Sequence, residues 1–554
     1  MASLDFLKQM DIAKERISDP DQISGLDNYQ PWPIISSGAR KILAATQRQQ
    51  VLALFAPERP IIMTGYENRF GEYSSANIVA DSDYVCIARI PKFSFSPNHH
   101  FYLICENKTT GMLEVFERIV YHHVTEKYGY LYNCAYMDSI TEGSVIHKGD
   151  MIRKSTTFDK FNNQCTGVNL NVLYMALDQN MEDSVIISDK AAEKLAAPLI
   201  KVVTVMINEN DIPINYYGDD NMYKCIPDIG EHTKNAILLA LRKEKKEDAL
   251  FMQSIHRLKK LIPSDDKYLL DGTVMDIQLY CNNPTNLDLY YNGQFKMYYN
   301  EQNRFAQDII KTLAPEIAAG KKMSYELQKM YANAKRVING DQYIEKRQFS
   351  NMKIEITLLE KRELQVGDKI SNRYGGKGVT SKIIPQHLMP KFGDTYADIL
   401  MNSSTMVNRE NPGQLFEMSI NFIGAEILKY IKNNNIDLDE AADLILRFVT
   451  DVSPAQGADL KRTIDEMTPR LKAIFIDSIL EEGFINLTAE VMKDPITIDR
   501  LNAIYNHFPF VKQVELTVPI KDSNGNIRFI PARRHVVAGN EYILRLKKYN
   551  QRIG

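Results

Sequence analysis

The stretch that decides the fold reads Gly367-Asp368-Lys369-Ile370-Ser371-Asn372-Arg373-Tyr374-Gly375-Gly376-Lys377-Gly378-Val379. Its glycines let the backbone turn tightly and approach a ligand without a Cβ in the way. Lys369 and Lys377 are compact charges on flexible stems that suit phosphate oxygens, and Arg373 suits either a bidentate phosphate contact or an internal ion pair. From spacing alone, a phosphate site and a solvated basic turn between strands stay equally open.

The same stretch is not a Walker A loop. That motif places Gly-Lys-Ser/Thr at the start of a helix, whereas Lys377 is followed by Gly378-Val379 and a β-prone run. A stand-alone NTPase is therefore disfavoured.

The chain also has no Asp-x-Asp-x-Asp cluster for a catalytic metal. Glu182 and Asp183, directly before the apolar run that follows Ser184, predict either a turn capped by Asp183 or a water-mediated Mg²⁺ contact.

Length and composition restrict the class of protein. A chain of 554 residues predicts several domains, and 44% hydrophobic with 25% charged residues is typical of an ordinary soluble protein. The net charge of −3 gives no overall nucleic-acid signature. Six scattered cysteines without a Cys-x-x-Cys pair argue against a zinc ribbon and predict free thiols. Since no apolar run reaches the roughly 20 residues of a membrane span, we expect a cytoplasmic protein.

Three further segments carry structural predictions. A helix is predicted from Ser37, with apolar residues, among them Ile42, on one side and a solvated basic face elsewhere. Residues 323–338 show a heptad-like apolar stripe, which indicates either a packing seam or a helical surface for another protein. Arg409 precedes a predicted helix in which Asn411 is the N-cap and Pro412 the first residue, and such a helix start favours anions.

Taken together, four motifs resemble the β, or second-largest, subunit of multisubunit DNA-dependent RNA polymerases. They occur in the family's order and extend from about residue 37 to the end of the chain. The four comprise Arg40–Gln49 followed by Pro60-Ile-Ile-Met-Thr-Gly-Tyr-Glu, then Met181-Glu-Asp-Ser, the Gly367–Val379 stretch, and Arg409–Glu417. In the last of these, Pro412 replaces the isoleucine that the family usually has.

The resemblance implies roles for particular residues. Lys369 and Lys377 would contact phosphates of the initiating nucleotide or of the RNA 3′ end. Other cations would bind the phosphates of the incoming triphosphate, namely Arg409, Arg40, Arg373 and Arg48. Asp183, with Glu182, would approach the second Mg²⁺, while the first is held mainly by aspartates of the β′ partner. The implied reaction is in-line attack of the RNA 3′ hydroxyl on an NTP α-phosphate, with this chain supplying positioning and charge and no general base.

The resemblance also implies a mixed α/β multidomain fold with a double-psi β-barrel core, β-rich and helical flanking modules and a flap. We expect five segments: a fork-like basic helical segment at 1–60, a β-rich module at 61–194, a flap with a helical insertion at 195–355, the barrel core at 356–425, and a helical and β hybrid-binding region at 426–554.

The expected partners follow from the same resemblance. They are the N-terminal half of a split β subunit, β′ or its split halves, a promoter-specificity factor docked near 323–338, template DNA, nascent RNA and NTPs. No α subunits and no membrane are expected. Split subunits of this kind are similar to those of giant tailed bacteriophages, which places the protein in the cytoplasm of an infected bacterium. The alternative is a non-catalytic nucleic-acid-binding scaffold with the same fold.

Overall fold

The computed structural model describes residues 26–547 apart from 97–99, 126, 178–179, 220–221, 244–266, 341–350, 404–408, 490–494 and 522–525. The described chain forms two compact units. The first contains the described residues up to Ser74, then Thr157–Ala197, then the described residues from Glu363 onward. The second contains Ser75–Thr156 and Pro198–Arg362. Neither unit is continuous in sequence, and the chain passes from the first unit to the second between Ala197 and Pro198.

The first unit is built on a closed six-stranded β-barrel. Its strands are, in chain order, β1 (Gly167–Tyr174), β2 (Ser184–Ser188), β3 (Lys369–Asn372), β4 (Lys377–Ile384), β5 (Ile399–Met401) and β6 (Ala538–Leu546). Around the barrel the order is β1-β5-β2-β4-β3-β6. Neighbours β1 and β5, and β2 and β4, run parallel, and the other four pairs run antiparallel. The predicted core at 356–425 with the Ser184 strand supplies four of these strands, whereas β1 and β6 come from outside it.

Strand pairing fixes the faces of the Gly367–Val379 stretch. Lys369 pairs with Val379, and Ser371 pairs with Lys377. Because directly paired residues and alternate residues share a face, Lys369 and Lys377 project from the same face of adjacent strands, as diagonal neighbours roughly 7–8 Å apart. The intervening Ile370 is fully buried. The register thus places the two lysines on one side of the β3–β4 pair.

Helices and small sheets complete the first unit. Its helices are α1 (Gly38–Gln49), Tyr66–Tyr73, Asp189–Lys194, α2 (Gly413–Asn433), Leu438–Val452, Pro454–Glu466, Pro469–Glu482 and Ile498–His507, with 3₁₀ turns at Asp27–Tyr29, Pro33–Ile35 and Gln386–Leu388. A four-stranded sheet contains Thr395–Tyr396, Lys391–Phe392, Leu516–Lys521 and Ile527–Pro531, and Ile62–Met63 pairs with Leu487–Thr488. The C-terminal helices share one apolar core, which includes Ile420, Ile445 and Phe448, and burial of such side chains stabilises the fold by about 1.5–3 kcal/mol each.

The second unit contains three β-sheets. The largest has the order Thr273–Cys281, Met352–Arg362, Ala197–Ile207, Tyr128–Asn133, Met151–Ser155 and Ile78–Val79, with Tyr121–Thr125 paired to Tyr128–Asn133. A second sheet contains Leu113–Arg118, Phe101–Asn107, Tyr84–Pro91 and Val145–Ile146, and a third contains Asp211–Pro213, Ile237–Lys243 and Lys267–Leu269. The helices are Ala135–Asp138, Gly293–Ala318 and Tyr325–Ile338, with 3₁₀ turns at Pro284–Asp288 and Tyr290–Asn292.

The heptad-like stripe of the second unit is a packing seam. Leu327 is fully buried and Ala334 is 4% exposed, and both pack with Ile309 and Leu313 of the neighbouring helix Gly293–Ala318. The apolar face is therefore used inside the unit and is not a free docking surface. Binding of a promoter-specificity factor to this helix stays a prediction, and it would have to use outward residues such as Tyr325, which is 74% exposed.

Other sequence predictions have mixed outcomes. The six cysteines are all free. Within the described part of the chain, no helix is both long and apolar enough to cross a bilayer. The helix predicted from Ser37 is confirmed as α1. The Asn411 N-cap is wrong: α2 starts at Gly413, and the Asn411 amide instead donates to the Gln414 side chain at 3.2 Å.

Candidate functional site

A small cavity lies at one end of the barrel, where β1, β3 and β5 end and β2 and β4 begin. Four of the residues that line it are charged, two cations and two acids, and most of the rest are polar. The lining residues are Tyr174, Glu182, Asp183, Ser184, Val185, Asn372, Gly376, Lys377, Gly378, Met401, Asn402, Arg409, Asn411 and Gln414. The cavity thus brings together residues from three of the four motifs that the sequence analysis singled out.

Gly378 brings the lysine strand against the acidic turn. A Cβ at position 378 would lie 2.3 Å from Cγ2 of Val185 and 3.1 Å from the Asp183 carbonyl oxygen. The backbone N–H of Val379 donates to that same carbonyl oxygen at 2.9 Å. Lys377, one residue before this glycine, is exposed and lines the same cavity as the two acids, so it is accessible to a ligand.

The acids are held by strained backbone and by an ion pair. Glu182 has φ 49°, and Glu410, next to Arg409, also has φ 49°. Non-glycine residues in this left-handed region cost about 1–3 kcal/mol, and such strain clusters at functional sites. The Arg409 guanidinium pairs with Oδ1 of Asp183 across the cavity. Half of the Asp183 side chain remains exposed, so the pair contributes little to stability and is open to competition from a ligand.

Helix α1 packs on the glycine turn through polar side chains. Nη1 of Arg40 and Nε2 of Gln47 both donate to the Gly375 carbonyl oxygen, at 3.5 and 3.4 Å. The Ser37 N–H donates to the Glu410 carbonyl oxygen at 3.2 Å. Ile42, predicted for the apolar side of this helix, is 69% exposed. The inward face is therefore the polar one.

The surroundings of Arg40 lower its pKa. Burial is the largest cause that lowers the pKa of Arg40, followed by the neighbouring charge of Arg409, and Asp183 partly offsets both. Two guanidinium groups are thus held within electrostatic range of each other beside one carboxylate. Such an arrangement favours an anion, because an added negative charge would neutralise the repulsion between them.

Arg373 is not a phosphate ligand in this structure. It is 4% exposed, its Nη2 lies 2.9 Å from Oε1 of Glu417, and its Nη1 donates to the Ile62 carbonyl oxygen at 2.6 Å. Of the two alternatives that the sequence left open, the internal ion pair is confirmed. The assignment of this side chain to the triphosphate is wrong, because the guanidinium is already paired inside the barrel.

Arg48 and Lys369 lie away from the cavity lining. The Arg48 guanidinium stacks on the Tyr29 ring, 3.5 Å from its centroid, so it is engaged by an aromatic face rather than presented to a phosphate. Lys369 is partly exposed on the Lys377 face of the barrel but does not line the cavity. A ligand longer than the cavity would be needed to reach both lysines at once.

Sequence reasoning missed the amides of the site. Asn372, Asn402 and Gln414 line the cavity, and neither their type nor their spacing follows a recognisable binding pattern. One signal was available: Asn372 lies inside the Gly367–Val379 stretch, and a buried asparagine beside glycines is typical of a side chain that holds a turn.

The two acids of the cavity are too few to bind a metal ion by themselves. Among the described residues, no group of three or more His, Cys, Asp or Glu side chains is arranged to hold a metal ion. Glu182 and Asp183 supply two carboxylates beside a cationic cavity. Mg²⁺ is often bound by one or two carboxylates together with substrate phosphates. The donor set therefore fits a Mg²⁺ ion whose remaining ligands come from outside this chain.

Comparison with known proteins relates the chain to RNA polymerase subunits. A model of the family described as RNA polymerase Rpb2, domain 6, matches residues 115–504. The chain is 23% identical over 444 residues to the DNA-directed RNA polymerase subunit beta of Chaetosphaeridium globosum, covering 76% of this chain and 36% of that protein. It is 24% identical over 415 residues to the subunit beta of Streptococcus uberis, covering 73% and 30%. The chain thus spans about a third of the length of these curated relatives. Since the family match covers more than half of the 554 residues, the chain belongs to the family of RNA polymerase Rpb2, domain 6.

Proposed function

We propose that this chain is the C-terminal part of a split β subunit of a DNA-dependent RNA polymerase, of the giant-bacteriophage type, and that its barrel cavity binds nucleotide phosphates. The observation that supports this most directly is the convergence of Lys377, Arg409, Glu182 and Asp183 in one cavity, with Arg40 in electrostatic range. A cavity with charges of both signs suits a triphosphate that arrives with a divalent cation.

In this proposal the chain works by positioning and charge. Lys377 holds a phosphate of the initiating nucleotide or of the RNA 3′ end. Lys369, on the same face of the barrel, contacts a phosphate farther along the same RNA. Arg409 leaves Asp183 to grip the incoming triphosphate, and Arg40 adds charge from α1. Bound Mg²⁺ would supply charge neutralisation of the phosphates, with Asp183 and Glu182 as the ligands from this chain. Holding the reactants in line is itself a large part of the rate enhancement.

The proposal implies an assembly. Aspartates of a β′ partner would hold the other Mg²⁺, the N-terminal half of β would complete the subunit, and the complex would enclose template DNA, nascent RNA and NTPs. We further propose that the barrel is the double-psi barrel of the β subunit and that the second unit contains its flap. The protein would act in the cytoplasm of an infected bacterium.

The test is primer extension by the complex that co-purifies with the tagged full chain, on an RNA–DNA scaffold. Lys377→Ala and Arg409→Ala are expected to lower the extension rate by roughly 10²–10³, the effect of removing one preorganised charge that acts in the transition state. Lys382→Ala is the matched control, since this lysine is exposed on the same strand β4 but does not line the cavity. It should extend at the native rate.

The rival function, a non-catalytic scaffold, predicts a different result. A scaffold would need the fold but not the cavity, so the complexes with Lys377→Ala, Arg409→Ala and Lys382→Ala would all extend primers equally well. Equal rates, with unchanged subunit composition by mass spectrometry, would therefore refute the proposal. A complex in which no partner carries an Asp-x-Asp-x-Asp loop would refute it independently.

A further inference from the structure

A single buried side chain, Asn372, connects the turn before Lys377 with Gln414 at the start of α2. Oδ1 of Asn372 accepts the backbone N–H groups of Tyr374 and Gly376, at 3.0 and 2.8 Å. These two bonds close the turn that leads directly into Lys377. Asn372 is only 2% exposed, so water does not compete for this amide and the turn depends on it.

The other end of the same amide contacts two acceptors. Nδ2 of Asn372 donates to Oε1 of Gln414 at 2.8 Å and to Oε1 of Glu541 at 2.7 Å. Gln414 also accepts from Asn411, two residues after Arg409. Because Asn372 uses its oxygen for two donors and its nitrogen for two acceptors, rotating the amide by 180° would lose all four bonds.

We propose that Glu541, acting through Asn372, is a positioning residue that holds the Lys377 turn and the Arg409 segment in one mutual orientation for phosphate binding. This inference rests on the proposed function and deepens it. Glu541 lies on β6, outside all four motifs that carried the resemblance, and it is fully buried. Its carboxyl therefore acts behind the cavity and does not itself touch a ligand.

The charges around Glu541 make its action depend on pH. The titratable groups that face it are Glu417 of α2, Arg373 and Tyr374 of the turn, and Tyr174 of β1. The one guanidinium, Arg373, is paired with Glu417. Burial and then the negative charge of Glu417 raise the pKa of Glu541 to about 8. Ionisation above that pH would place an unpaired negative charge behind a phosphate site.

The experiment measures the apparent KM for NTP in the primer-extension assay between pH 7 and 9.5. With the native chain, the KM should rise roughly tenfold as pH passes about 8, the scale of one unit charge acting across a partly buried site. Glu541→Gln keeps an acceptor for Asn372 but cannot ionise, so its KM should not rise over this range. Deprotonation of lysines and of NTP is common to both proteins, so the difference isolates position 541.

A second variant separates positioning from stability. Asn372→Ala should raise the KM at every pH, whereas Asn292→Ala should not. Asn292 is the matched control because it is a buried asparagine of the second unit, 2% exposed like Asn372, that donates to the Asn286 carbonyl oxygen at 2.8 Å. Equal KM values for these two variants would overturn the inference, as would a pH profile that Glu541→Gln leaves unchanged.

A measurement on the full chain alone keeps the inference testable without partners. The pKa of Glu541 is raised from 4.5 to about 8, so the folded state retains a proton that the unfolded state releases. The resulting stability is complete below pH 4.5 and is lost as pH rises through about 8. The native unfolding temperature should therefore fall over this window more steeply than that of Glu541→Gln. If the unfolding temperatures of the native chain and of Glu541→Gln change with pH in the same way, the inference of a protonated Glu541 carboxyl is refuted. Failure of the native complex to extend primers would refute only the proposed function.

Discussion

Replacing Gly375 by alanine should detach α1 from the cavity. Gly375 has φ +79°, and a Cβ there would lie 2.8 Å from the Arg40 carbonyl oxygen, a backbone atom of α1. An alanine in the left-handed region costs about 1–2 kcal/mol. To relieve the contact the helix must shift, which would lose the hydrogen bonds from Arg40 and Gln47 to the Gly375 carbonyl oxygen, worth about 0.5–1.5 kcal/mol each. The expected local destabilisation is therefore about 2–5 kcal/mol.

Amide hydrogen exchange of α1 measures this loss directly. A destabilisation of about 2–5 kcal/mol corresponds to roughly 30- to 4000-fold faster exchange through local opening. Gly483→Ala is the matched control, since Gly483 has φ +78° and no atom lies within 4 Å of the position that a Cβ would take there. It should show only the backbone cost, at the end of the helix Pro469–Glu482. If Gly375→Ala leaves exchange of α1 at the native rate, the argument from close approach is wrong.

Three other substitutions test charged side chains, two in the first unit and one in the second. Arg373→Ala would leave Glu417 buried without its ion-pair partner and should lower the free energy of unfolding by about 3–5 kcal/mol. Arg409→Ala removes a partly exposed ion pair and should lower it by at most about 1 kcal/mol. Equal losses of stability in denaturant unfolding would contradict this. Burial raises the pKa of Glu117, but hydrogen bonds with His100 and Tyr102 together with the charges of His100 and Lys92 outweigh it and hold that pKa at about 2. Because the folded value is below the ordinary 4.5, this carboxylate contributes stability above pH 4.5 that is lost as pH falls through about 2. The contribution is below about 3 kcal/mol, because the Glu117 side chain is 39% exposed and solvent screens its charge. Glu117→Gln should therefore be less stable than native at pH 7, and the difference in thermal unfolding should shrink toward pH 2.

Local patterns are sufficient for the elements that depend on neighbours in sequence. Periodicity predicts the α1 helix. Residue type offers Asp437 or Asp439 as a helix cap, and the structure uses Asp437, whose side chain accepts the N–H groups of Asp439 and Glu440. The dipeptide Asn524-Gly525 predicts a hairpin, and Leu516–Lys521 pairs with Ile527–Pro531, although the turn itself lies outside the described residues. Such features are decided within a few residues, where propensity and capping act.

The barrel and the orientation of its charges depend on distant contacts. Strand β1 pairs with β6, more than 360 residues later in the chain, and no local pattern indicates such a partner. The partner of Arg373 is Glu417 on α2, so the choice between a phosphate and an ion pair was not available from the Gly367–Val379 stretch. The polar inward face of α1 is a similar case, because Gln47 is buried only by its contact with the glycine turn.

Arg373 is buried and Lys377 is exposed, which explains how the Gly367–Val379 stretch can both stabilise the barrel and contribute to the cavity. Strand β3 ends at Asn372, and the turn closed by its amide places Arg373 against Glu417 while β4 begins at Lys377 with an exposed ammonium group. A buried cation paired in the barrel fixes the turn, whereas an exposed cation four residues later is left for a ligand. The Arg373 ion pair can hold that turn only while the barrel stays closed. We therefore expect ligand binding at Lys377 to be more sensitive to substitutions along β3 and β6 than to changes in the solvent-facing residues of β4.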